Sequence, residues 1–208
     1  MSLIQRFMRL FFHLLYHSFA FTYDLVAAAV SFGTWKDWVY SILPFIKGTR
    51  LLELGHGPGH LQRLLLDRGL VAAAIDESTQ MGRIAKRRLG SSHRLTRGLA
   101  QSLPYQSGIF DTIIATFPTE YFADPETLSE VRRCLDNGGR FVVLLAAMPK
   151  NRFLSWLFKV TEQAPTEALK TVQERLEEPF LEANFHVETH LLDLQSGRLI
   201  IIVATPSR

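Results

Sequence analysis

From residue 50 onward the chain alternates short apolar runs with amphipathic segments, and that alternation leaves few folds open. "RLLEL" (50–54) reads as a buried strand, and "GHLQRLLLDRG" (59–69) as a helix stopped by Gly69. "VAAAID" (71–76) is a second apolar run, and "ESTQMGRIAKRRLG" (77–90) is a helix closed by Gly90. "HRLTRG" is a weak strand and "FDTIIATF" a strong one; a helix then begins at Asp124 and Pro125 and runs to about Leu135, ended by "NGG". "RFVVLLAA" is the next strand. Strands separated by helices pair in parallel, and a parallel sheet needs cover on both faces. The chain closes with a helical stretch (164–183) and two strands, "HVETHLLDL" and "RLIIIVATP", joined by "QSG". That hairpin adds an antiparallel element at the sheet edge. The expected fold is α/β: a Rossmann-like, mostly parallel seven-stranded sheet with helices on both faces.

A length of 208 residues suits one domain with a small elaboration. The elaboration is the first 45 residues. In "SLIQRFMRLFFHLLYH", Gln5, Arg6, Arg9, His13 and His17 form one narrow helical stripe, and apolar side chains cover the rest. The apolar arc is too wide for a helix lying in water, while charges interrupt it too early for a membrane span. An interfacial helix fits this pattern, with its basic stripe toward lipid headgroups. Packing on its own domain or on a twin subunit is the alternative, and a secretory signal lacks a clean A-x-A site. The division expected is a helical cap over 1–45 and a catalytic domain over 46–208 with a lid insertion near 149–165. A net charge of +3 permits an anionic partner without demanding one. The single cysteine, Cys134, excludes an internal disulfide and a Cys-rich metal site, and reads as a core thiol.

"LLELGHGPGHL" (51–61) breaks a strand into three alternating glycines, Gly55, Gly57 and Gly59, just before a helix. A tight turn accounts for such a run; so does a ligand too close to the backbone for a Cβ. The dinucleotide fingerprint needs a glycine where His60 stands, so a pyrophosphate loop is disfavoured. Asp76 ends the second strand, where a carboxylate can accept both hydroxyls of a ribose or cap the following helix.

Four segments, "LLELGHGPGHL", "AAAIDESTQM", "GLAQSLPYQSGIFDTIIATF" and "LSEVRRCLDNGGRFVVLL", fall in the order and spacing of the class I S-adenosylmethionine-dependent methyltransferases. The chain most resembles the branch of ubiquinone and menaquinone C-methyltransferases and related lipid methyltransferases, over roughly residues 20–147. The resemblance implies S-adenosylmethionine as cofactor across the carboxyl ends of the first strands. It places Glu53 under the methionine end, which lies along Gly55, His56, Gly57 and Gly59. It gives Asp76 the ribose, Met81 the adenine face, and Ala100 and Gln101 the adenine edge. Leu99 stands where the family usually has an acid, and His56 where a small residue is commoner. Tyr23 resembles a lid over the methionine end. Thr116, with Phe117 and Pro118, ends the fourth strand facing the acceptor.

Methyl transfer needs alignment and a dry pocket, and a base only where the nucleophile must lose a proton. Base candidates are Tyr23, Glu120, Tyr121 and, should the first helix fold over the pocket, His17. "NRFLSWLFKV" (151–160) adds a second apolar segment, and "GRIAKRRLGSSHRLTR" a basic run. Together they suggest a lipid-like acceptor, a phospholipid headgroup or an isoprenoid quinol, methylated by a cytoplasmic enzyme held peripherally on the inner membrane face. A soluble small-molecule methyltransferase and a non-catalytic cofactor-binding protein are the other readings. Nucleic acid is disfavoured, because "TFPTEY" replaces the N-P-P-Y or D-P-P-Y that would hold a flipped base. Oligomeric state is open.

Overall fold

The computed structural model describes residues 35–91, 93–149 and 175–207. The interfacial helix, the lid readings for Tyr23 and for the aromatic segment 151–160, and the His17 reading lie outside the described residues. Seven strands form one sheet: β1 (Leu51–Leu54), β2 (Ala73–Asp76), β3 (Arg94–Arg97), β4 (Phe110–Thr116), β5 (Leu135–Pro149), β6 (Phe185–Asp193) and β7 (Gly197–Pro206). Their order is β3-β2-β1-β4-β5-β7-β6. Every pairing from β3 to β5 is parallel, and β7 runs antiparallel to both of its neighbours. The closing hairpin therefore sits at the sheet edge, with its second strand inserted between β5 and its first.

Described helices are α1 (Trp35–Tyr40), α2 (His60–Leu66), α3 (Thr79–Leu89) and α4 (Pro125–Cys134), with residues 175–182 also helical. Right-handed crossovers from β1 through β3 put α2 and α3 on one face; the reversed direction after β4 puts α4 on the other. The two cores agree. Trp38, Val39 and Ile42 pack with Leu61, Leu64 and Leu65 over Ile114 and Val142. Leu128, Val131, Cys134 and Phe180 pack over Ile113, Phe141 and Val143 on the opposite face. Alternate residues of one strand thus serve two cores, which is why the strands read as continuous apolar runs. Cys134 is buried, and burial pushes its thiol up.

Helix ends follow the sequence signals. Asp124 caps α4, its carboxylate accepting the Glu126 N–H at 2.9 Å. α3 is capped by Ser78, whose Oγ accepts the Met81 N–H at 3.2 Å. This removes the capping role that competed for Asp76. At the amino ends of the central strands Arg50 bridges Asp111 and Asp136, and Asp111 is held down to about 2 by that guanidinium. The network is partly exposed and clamps the end of the sheet opposite the site.

Candidate cofactor site

The strand order reverses between β1 and β4, so the crevice for a ligand lies outside the carboxyl ends of those strands. The glycine loop follows β1 at that point, and its three glycines have three different causes. Gly55 has φ +67, and a Cβ there would lie 2.4 Å from the Tyr121 hydroxyl, which donates to the Leu54 carbonyl at 3.0 Å. Gly59 caps α2 with φ +82, and its Cβ would meet the Ala85 Cβ of α3 at 3.1 Å. Gly57 has φ +50 and faces nothing within 4 Å. Two of the glycines thus make room for protein, and the middle one borders open space.

Glu53 is 1% exposed, in the middle of an apolar sheet. Gln62, on the buried side of α2, donates Nε2–H to its Oε2 at 2.8 Å. Burial pushes the carboxyl up to about 8, the Gln62 bond pulling the other way and nearby Asp76 adding to the rise. A carboxyl held protonated for want of a positive charge is set to ionise when a cation is brought to it. Asp76 accepts the Gly57 N–H at 2.8 Å on one oxygen and the Ser78 N–H at 2.8 Å on the other. It ties the loop to the end of β2 and keeps a lone pair on each oxygen.

His56 is buried, and its Nδ1–H donates to the Gly57 carbonyl at 2.7 Å. Burial pushes this imidazole down, so a neutral ring packs beneath the loop. That hydrogen bond braces the turn at Gly57. Met81 is buried on α3. Gln101 donates to the Asp124 carboxylate at 3.1 Å, beside half-buried Ala100, while Leu99 is 51% exposed. Thr116 ends β4 in register with Leu144. Glu120 is exposed on the 3-10 turn Glu120–Ala123 that also carries Tyr121.

Phe117 was read as a plain strand end, and its backbone is what sequence reasoning missed. It has φ +49, a left-handed conformation that a bulky residue seldom adopts. Its N–H still donates to the Leu144 carbonyl at 2.7 Å. Alternation along β4 sends Ile113 and Ala115 to the α4 face and would send Phe117 there too. The kink turns its ring instead to the α1 face, 6.4 Å from the Trp38 ring. Half-buried Phe117 thereby packs on Trp38, which is buried in the α1-side core. Gln62 was also missed, although a polar side chain on the apolar stripe of α2 is a readable signal.

A methyltransferase domain model matches residues 52–143, which spans the strands that build the site. The chain is 30% identical to the demethylmenaquinone methyltransferase of Symbiobacterium thermophilum, over 93% of this chain and 92% of that protein. It is 31% identical to the demethylmenaquinone methyltransferase of Thermotoga maritima, over 66% of this chain and 62% of that one. Among solved structures, a putative S-adenosyl-L-methionine-dependent methyltransferase from Methanococcus maripaludis superposes with a TM-score of 0.62 at 16% identity, covering 91% of this chain and 92% of that one.

Proposed function

Because the chain belongs to the class I S-adenosylmethionine-dependent methyltransferases, in the branch of the ubiquinone and menaquinone C-methyltransferases, we propose that it methylates a ring carbon of an isoprenoid quinol at a membrane surface. The observation that carries the acceptor class is the near full-length match to a demethylmenaquinone methyltransferase.

The cofactor supplies a methyl group on a sulfonium, already activated for in-line displacement. The residues present fit it. Glu53 is the buried carboxyl that a cationic amino group at the methionine end would ionise. Gly57 leaves its approach open, and Asp76 offers lone pairs at the ribose position. Tyr121 closes the Gly55 side of the loop, where its hydroxyl fixes the end of β1. It serves as a positioning group rather than a base, since its proton is already given to a carbonyl. Half-buried Phe117, at the carboxyl end of β4 and backed by the buried Trp38 ring, supplies an apolar surface on the acceptor side, which suits an aromatic quinol ring better than a charged headgroup. The acceptor's ring proton, which the methyl group replaces, leaves to solvent, and the protein's part is alignment.

The test is to incubate the full chain with methyl-labelled S-adenosylmethionine and vesicles holding both phospholipid and reduced demethylmenaquinone, then resolve the extracted lipids. Label in the quinone band is expected. Label in a phospholipid band, or none with cofactor binding intact, refutes the reading.

A further inference from the structure

The charge of the chain is strongly segregated. From Ser78 to Phe110 there is no Asp or Glu, while Arg83, Lys86, Arg87, Arg88, Arg94 and Arg97 all lie in this stretch. The remainder of the chain holds 17 Lys and Arg against 20 Asp and Glu, so one short segment reverses the sign of the whole. The fold gathers the segment on one side, with α3 packed along β2 and β3 and β3 forming the edge of the sheet.

Within it, Arg88 is turned inward to donate to the Pro58 carbonyl of the glycine loop. Arg83, Lys86, Arg87, Arg94 and Arg97 are exposed. None of these five has an ion-pair partner among the described residues; Arg97 reaches only the Glu77 backbone carbonyl, at 3.1 Å. At the other edge, six strand spacings or about 30 Å away, Glu178, Glu182 and Glu188 are exposed on β6 and the helix before it, with Arg175 the exposed cation beside them and Arg198 paired to Asp193. A sheet with a cationic edge and an acidic edge has a defined orientation in the field of a charged surface. Arg97 is in register with Asp76, so the cationic edge reaches the rim that carries the glycine loop. Just past it Leu99 holds an apolar side chain 51% exposed on that same rim.

We propose that the α3–β3 edge is a docking face for an anionic lipid bilayer, with Arg83, Lys86, Arg87, Arg94 and Arg97 on the headgroups and Leu99 at the acyl boundary. The inference rests on the reading that the acceptor is a membrane lipid, and it names the surface that meets the membrane. A bilayer fits better than a nucleic acid because, among the described residues, no exposed aromatic ring accompanies these cations, and single-stranded nucleic acid is held by stacking as much as by charge. Each cation near an anionic leaflet adds to binding, and the sum is screened by salt.

The experiment is sedimentation of the full chain with phosphatidylglycerol-containing vesicles and with neutral phosphatidylcholine vesicles, at low and high salt. It needs no turnover, so its failure is separable from failure of the proposed reaction. Binding is expected on anionic vesicles and to fall with salt. The triple variant Arg83→Gln, Lys86→Gln, Arg87→Gln is expected to bind them about 100-fold more weakly, with S-adenosylmethionine affinity and melting temperature unchanged. A second variant, Arg94→Gln with Arg97→Gln, tests the strand half of the face with an expected loss of about 10-fold or more. Undiminished binding by both variants, equal binding to neutral vesicles, or preference for a single-stranded oligonucleotide over vesicles overturns the proposal.

Discussion

Replacing Glu53 with Gln is expected to make the cofactor-free protein more stable and a weaker binder of S-adenosylmethionine. In the folded protein burial holds this carboxyl protonated up to about 8, against an ordinary value of 4.5. In the unfolded chain it ionises above its ordinary value. Between those two pH values the folded state therefore holds a proton that the unfolded state has lost. Stability from this group is complete at acid pH and is lost as pH rises, at roughly 1.4 kcal/mol per pH unit. By pH 7 the loss is about 3 kcal/mol on that slope. Glutamine has no proton to lose, and its carbonyl can accept the same Gln62 N–H bond. Glu53→Gln should melt higher at pH 7 by roughly 6 to 12 °C, and near pH 4.5 by little. Calorimetric titration should show cofactor affinity lower by about 10- to 100-fold, the cost of losing a charge-assisted hydrogen bond. The wild-type protein should release a proton on binding, seen as a binding heat that depends on the buffer's ionisation enthalpy. A variant less stable than wild type at pH 7, or one that binds the cofactor equally well, would refute this account of Glu53.

Three further outcomes follow from the same geometry. Gly57→Ala, where nothing lies within 4 Å, should cost only about 1 to 2 kcal/mol of stability yet sharply reduce cofactor affinity, whereas Gly59→Ala, 3.1 Å from Ala85, should show its larger effect in chemical denaturation. Phe117→Gly should be more stable than Phe117→Ala by about 1 kcal/mol, because only glycine accepts φ +49 freely, and both should raise KM for the acceptor while leaving cofactor affinity intact. Leu99→Asp restores the acid usual in the family at a side chain 51% exposed, and should tighten cofactor binding by calorimetry without lowering the melting temperature.

Much of this was legible because it depends on local pattern. Strand and helix alternation fixed the parallel sheet, since no other arrangement buries both faces of runs such as "FDTIIATF". The glycine loop and Asp76 were legible as punctuation at strand ends. What stayed hidden depends on contacts distant in the chain. That Gly55 yields to Tyr121 is a meeting of residues 66 positions apart, invisible to any window. The insertion of β7 between β5 and β6 is a choice of sheet edge that a hairpin alone does not specify. Phe117 looked like the last residue of a strand, because a left-handed aromatic carries no compositional mark. His56 stood in the loop with no direction for its ring, since spacing does not tell which way a loop side chain turns; the ring is buried against the Gly57 carbonyl.

The chemistry rests on where the methyl group goes. With carbon-13 in the methyl group of S-adenosylmethionine and reduced demethylmenaquinone as acceptor, the product's labelled carbon can be read by NMR. A methyl signal bonded to a ring carbon is the expected result. A methoxy or N-methyl signal would contradict the assignment to ring-carbon methylation.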